Sequence, residues 1–330
     1  MTARARYSIL FLTLLLFSWW SVYTRYVDLF HFDLATNMPF RELSLRWYHE
    51  TIAGTRAFPF QWRVLGFWIV WIGERVTHLD PHVVDAALKT AALAVSGAVF
   101  YLFSITVVDE AAALLATALY LLTTTAAFAS EGYAIYFSND YLLVAGWFTG
   151  VYAVRRRWWI TAVVATFVTA WAKETAVLIV ILIAIEALRR RAPWWAFIAC
   201  AAALAVPTVI LRTMYQAPLR EWAWWDTIRL NVPFLVPTAA GLATVVRNNL
   251  KVLLYLHVCW GLAYVGYRRT RDPFLTSLAV TLVCYVGMAW VVVYIRELRH
   301  SIPFTILVLP LAAGELLALV RPPVRTSSAP

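Results

Sequence analysis

Charge is scarce in this sequence. Only 14% of its 330 residues are Asp, Glu, Lys or Arg, where a soluble domain carries roughly 25%. With 62% hydrophobic residues, that shortage excludes an ordinary water-soluble globule and fits a chain built for lipid. Lysine is nearly missing. Lys89, Lys173 and Lys251 are the only ones, so arginine carries the formal net charge of +10. Part of that excess follows from topology, and the rest calls for an anionic partner. Cysteine is sparse too. Cys200, Cys259 and Cys284 lie in apolar stretches without CxxC spacing, which excludes a disulfide framework or a zinc site and makes them core thiols. No Walker loop, GxGxxG, HExxH or GxSxG occurs, which argues against nucleotide-driven chemistry.

Long apolar runs and aromatic residues are abundant. Apolar blocks recur at 7–24, 84–107, 111–129, 140–154, 158–172, 175–188, 193–214, 251–267, 274–294 and 302–320. Each is a candidate membrane helix, since a span needs about 20 residues. The N-terminal run begins after Arg4 and Arg6, has no small-residue cleavage site and contains Trp19 and Trp20, so it is expected to remain as an anchor. Arginine clusters set the orientation. Arg4 and Arg6, the triplets 155–157 and 189–191, Arg268, Arg269 and Arg271, then Arg321 and Arg325 all flank spans. Placing them together in the cytoplasm gives an all-α, polytopic protein of about ten spans, with both termini inside, in the inner (cytoplasmic) membrane. The whole chain, 1–330, reads as one integral membrane domain, with long outer loops at 25–83 and 215–250. Segment 61–79 carries Arg63, Glu74, Arg75 and His78 and is expected to lie on the outer interface as an amphipathic juxtamembrane helix.

Lys173 and Glu174 interrupt the apolar stretch between the two arginine triplets. From Trp158 to Leu188 the chain would measure about 46 Å as helix, between the 30 Å of one span and the 60 Å of two. Two short spans keep both triplets on one side and bring "AKET" to a hairpin tip. There Lys173 and Glu174 line a recess open to the outside, which is how a membrane protein tolerates them.

The outward segments hold the candidate site. "RELRHS" supplies Arg296, Glu297, Arg299 and His300. Arg296 and Arg299 are spaced to share one helical face, and guanidinium forks suit phosphate. Lys173, Arg299 and Arg63 together can hold a phosphate. The alternative is structural pairing of Glu297 with Arg296 or Lys173. Asp28 and Asp33, just after the first span, are candidate general bases or ordinary loop acids and helix caps. Asp140 reads as an N-cap or as a supporting site residue, Asp85 and Lys89 as an i,i+4 pair, and His257 as a core histidine. The Trp-rich stretch 219–232 reads as an interfacial helix, with sugar stacking as the alternative.

Taken together, the acidic residues after the first span, the helix around "FPFQWRVLGFW" and the short hairpin "AWAKETAVL" resemble the C-type superfamily of polytopic glycosyltransferases that use lipid-linked sugars. "PFQWRVL" and "RELRHSIPF" also resemble a bacterial branch of uncharacterised membrane proteins near it. The resemblance implies transfer of a sugar from a polyprenyl-phosphate donor on the extracytoplasmic side. It makes Asp28 or Asp33 the base and Lys173 with Arg299 the phosphate ligands; Arg63, Arg296 and His300 join them, and Glu174, Asp140 and Glu297 support them. A divalent metal is compatible but not required by any spacing. Expected partners are the lipid-linked donor, membrane lipids and an acceptor that the sequence does not name; nucleic acid is not expected. The competing reading is a transporter or flippase of an anionic lipid or solute, with Lys173, Glu174, Asp85 and Lys89 along its path. A non-catalytic envelope assembly partner is the third.

Overall fold

The computed structural model describes residues 3–26, 32–33, 38–55, 63–129, 138–214, 239–292 and 298–320. Among these the fold is helical, apart from a two-residue antiparallel pair, β1 (Phe32–Asp33) and β2 (Met38–Pro39). The helices run α1 (Ala3–Tyr26), α2 (Phe40–Ile52), α3 (Leu65–Thr77), α4 (Pro81–Ser104), α5 (Glu110–Ala129), α6 (Ser138–Arg155), α7 (Trp159–Ala172) and α8 (Val177–Leu188). They continue with α9 (Trp194–Met214), α10 (Ala239–Leu254), α11 (Cys259–Thr270), α12 (Pro273–Val292) and α13 (Ile302–Val320). Four stretches are long and apolar enough to cross a membrane: Pro81–Ser104, Glu110–Phe128, Trp194–Met214 and Arg299–Val320. Shorter apolar helices occupy Ser8–Thr24, Trp159–Ala172, Val177–Leu188 and Pro273–Ala289. Large apolar side chains stand exposed along α1 (Ile9, Leu12, Leu16) and α7 (Ile160, Val164, Val168). Such faces are costly in water and at home in lipid, so this is the architecture of a membrane protein.

Local signals set several of the helix ends. Asp80 caps α4 by accepting the backbone N–H of His82, and Pro81 takes the first helical position, where its missing N–H costs nothing. The arginine triplets end α6 and α8 alike. Arg157 and Arg190 adopt left-handed backbone (φ 59° and 57°), which reverses the chain before the next helix. Arg155 pairs with Asp272 at 2.7 Å, while Arg189 donates to the Pro273 carbonyl and the Ser277 hydroxyl at 2.9 and 2.8 Å. Both triplets therefore meet the start of α12, at one end of the bundle. Arg155 also donates to the Thr106 carbonyl between α4 and α5. The expected hairpin is present: α7 stops at Ala172, Lys173 is extended, a 3-10 turn covers Glu174–Ala176, and α8 returns.

The α6 helix is the hub of the core. Its Gly146-x-x-x-Gly150 spacing lets α7 and α8 approach closely, as small residues do in membrane helix pairs. A Cβ at Gly146 would collide with the Thr169 hydroxyl, and one at Gly150 would lie 2.5 Å from Ile179 Cδ1. Phe100, Tyr120 and Phe148 stack between α4, α5 and α6, with centroids 4.6–5.5 Å apart.

Three expectations are corrected. The apolar block 251–267 is not one span: α10 ends at Leu254, and His257 takes a left-handed backbone (φ 42°) before α11 begins. His257 itself is exposed rather than buried in a core, because it sits in that break. Of the cysteines only Cys200 is a core thiol; Cys259 is half-buried and Cys284 exposed, since an apolar helix in lipid need not bury every face. Within segment 61–79 the described residues form α3 (Leu65–Thr77), 13 residues and about 20 Å long. The expected pair between Lys89 and Asp85 is present.

Candidate functional site

The end of the bundle opposite the arginine triplets carries a buried ion cluster. Lys173 Nζ donates to Asp140 Oδ1 at 2.7 Å and Arg299 donates to Asp140 Oδ2 at 2.5 Å. The three side chains are 5–11% exposed. Lys173 comes from the hairpin tip, Asp140 from the first turn of α6, and Arg299 from a 3-10 turn, Leu298–Ser301, that leads into α13. The first-turn position corrects the N-cap expectation for Asp140. Both carboxylate oxygens face the cations because two buried positive charges require an acceptor far more than a helix end does.

Neighbouring elements fix this geometry. Asn139 accepts the Gly66 N–H and donates to the Arg63 carbonyl, each at 2.8 Å, tying the start of α3 to α6. Trp68 of α3 packs on Trp171 of the hairpin with centroids 5.5 Å apart. Together these contacts hold Arg63 within electrostatic reach of Asp140. His300 is buried next to Arg299, with its Nδ1 3.3 Å from the Tyr285 hydroxyl.

The cluster opens on a cavity of about 330 Å³ whose wall includes Asp140, Lys173, Arg299 and His300, within the size range of small-molecule sites. The rest of the wall is largely apolar, with Phe128, Val144, Leu178, Leu204 and Met288 among its residues. On α6 the positions 140, 143, 144 and 147 line it, the i, i+3, i+4, i+7 stripe of one helical face. One end thus offers N–H donors from an ammonium and a guanidinium, which carry three and five donors, and the remainder offers a hydrocarbon-like surface. That combination suits an anionic group attached to an apolar body.

Of the residues singled out in the sequence, Lys173, Arg299, His300 and Asp140 meet at this cavity, and Arg63 lies near it. Asp33 is placed on β1, its backbone paired with Met38. Its side chain, the side chain of Glu174, and all of Asp28, Arg296, Glu297 and the Trp-rich stretch 219–232 lie outside the described residues. The part that sequence reasoning missed is the centrality of Asp140. A lysine in an apolar hairpin demands a counter-charge at the same depth, and Asp140 begins a span on the same side; that was the available signal. Among the described residues, no group of three His, Cys, Asp or Glu side chains is placed to hold a metal ion.

A second polar constellation lies between α2 and α4. Ser44 Oγ is 2.7 Å from His82 Nε2, and His82 Nδ1 is 2.9 Å from Asp80 Oδ1. Burial pushes the Asp80 carboxyl up, but hydrogen bonds from the His82 backbone and ring and from Arg41 outweigh it and hold the group below the usual carboxylate range. The order Ser–His–Asp is that of hydrolytic triads. Here, however, the serine sits inside a helix, and the adjoining space is about 40 Å³, far below the roughly 300 Å³ at which small-molecule sites begin. The constellation pins α2 to α4.

No family model, no curated protein and no solved structure matches this chain.

Proposed function

We propose that this protein is a membrane glycosyltransferase that takes its sugar from a polyprenyl-phosphate donor on the extracytoplasmic side. The observation that carries the reading is the convergence of Lys173, Arg299 and His300 on a mostly apolar cavity. The donor's phosphate lies against the two cations and its isoprenoid end against the apolar wall. The acceptor hydroxyl oxygen bonds to the anomeric carbon, the carbon–oxygen bond to phosphate breaks, and the phosphate leaves with the electron pair. Lys173 and Arg299 stabilise that developing charge, which is worth most in a water-poor site. The hydroxyl proton passes to Asp28 or Asp33. Asp140 takes no proton in this scheme: with both oxygens occupied, it positions the cations. The arginine triplets in the cytoplasm and the cavity facing outward complete the topology, which draws on the positive-inside trend.

The test is donor turnover by purified protein supplied with a polyprenyl-phosphate sugar and a membrane extract as acceptor source. Asp28→Asn or Asp33→Asn is expected to abolish sugar transfer while donor binding survives. Full turnover in both single variants and in the double variant removes the carboxylate base. Absence of turnover by the wild type with any polyprenyl-phosphate sugar, alongside undiminished transport of an anionic lipid, moves the protein to the transporter class.

A further inference from the structure

We propose that α10 lies in the plane of the membrane on the cavity side, with its apolar stripe in the acyl region and Arg247 and Lys251 on the phosphates of lipid headgroups. The inference rests on the membrane reading alone and is independent of glycosyl transfer.

Turning by about 100° per residue, α10 divides into three sectors. Val245 is buried and Asn249 half-buried, so this face meets the protein. Leu242, Val246, Leu250 and Leu254 follow at steps of four residues and are 37–54% exposed. Thr244, Arg247 and Lys251 form the third sector and are also exposed. A spanning helix would put that third sector in hydrocarbon, where each charge costs several kcal/mol or must snorkel away. A helix in water would leave the leucine stripe bare. Lying at the boundary satisfies both, and basic side chains beside an apolar face are what such helices carry.

Length and neighbours agree with this placement. At 16 residues, α10 is about 24 Å long, short of a bilayer core. The chain turns at its end through left-handed His257, and Tyr255 donates its hydroxyl to the Thr123 carbonyl of α5, anchoring the turn. The helix also packs against the turn Leu298–Ser301, which bears Arg299 and His300. The occupant is a lipid surface rather than an acidic protein, because Arg247 and Lys251 adjoin the stripe of Val246, Leu250 and Leu254 as headgroup and acyl layers adjoin.

The experiment uses the full chain in nanodiscs of phosphatidylcholine and phosphatidylglycerol, with Cys200, Cys259 and Cys284 replaced by Ala. Single spin labels are placed through Val246→Cys, Leu250→Cys and Thr244→Cys. Labels at 246 and 250 are expected to collide preferentially with oxygen, and the label at 244 with a water-soluble nickel chelate. Oxygen preference at all three positions means a spanning helix and overturns the proposal. So does shielding of 246 and 250 from both reagents, the signature of a second copy or another protein on the stripe. Independently, Arg247→Gln/Lys251→Gln is expected to lower phosphatidylglycerol retained in native mass spectra by about 30-fold, from the roughly fivefold per basic residue typical of anionic surfaces. Unchanged retention overturns the headgroup assignment.

Discussion

Asp140→Asn removes one charge and almost no volume, so it isolates the electrostatic role of the cluster. In the wild type the carboxylate serves Lys173 at 2.7 Å and Arg299 at 2.5 Å, with all three side chains 5–11% exposed. The amide keeps one oxygen and loses the charge, leaving two cations in a buried site. Breaking a buried pair by neutralising one partner costs about 3–5 kcal/mol. A chain of this size shifts its melting temperature by about 2 °C per kcal/mol, so the expected fall is about 6–10 °C. Cys200 is fully buried and can report unfolding to a thiol-reactive dye once Cys259 and Cys284 are replaced by Ala. Lys173→Met in the same background relieves part of the imbalance, so Asp140→Asn/Lys173→Met should be destabilised by less than the sum of the single variants. A melting temperature for Asp140→Asn within about 1 °C of wild type, or strictly additive variants, refutes the clamp.

The packing of the hub has its own test: Gly150→Ala forces Ile179 aside and is expected to cost about 1–3 kcal/mol, read in the same dye assay, whereas Gly287→Ala, which meets nothing within 4 Å, should leave the transition in place. Asp80→Ala removes the cap of α4 and should cost about 1 kcal/mol at neutral pH. Because the Asp80 carboxyl is held below its ordinary value, its ionic contribution is present above about pH 4 and is lost as pH falls through the depressed folded value. The melting gap between wild type and Asp80→Asn should therefore close in acid, and a gap that widens there contradicts the assignment.

Sequence periodicity made the helical, membrane-directed character legible, and arginine placement indicated which helix ends lie together. The two triplets do share one end, through Asp272, Pro273 and Ser277, and the break at Lys173 falls where the length of the 158–188 segment required it. The block 251–267 misled because hydropathy averages over faces: it merged the leucine stripe of α10 with α11 and hid the turn at His257. Arg299 and Lys173 could be paired in thought as like charges near one surface, but their shared carboxylate could not. An acid beside a helix start satisfies the capping rule from sequence alone, and only the tertiary approach of the hairpin tip and of the turn before α13 turns Asp140 toward them. The Gly146-x-x-x-Gly150 spacing was present to be read, and its meaning emerges once Thr169 and Ile179 are seen against it.

Lys173 and Arg299 are proposed to hold a lipid phosphate at the mouth of an apolar cavity. The most direct measurement is mass spectrometry of lipids that co-purify with the detergent-extracted protein, wild type beside Lys173→Ala/Arg299→Ala, with folding of both checked by the dye assay. A polyprenyl phosphate or its glycoside bound to the wild type and lost from a folded double variant is the expected result. Bulk phospholipid alone, in equal amounts on both proteins, contradicts it and leaves the cluster as a structural clamp.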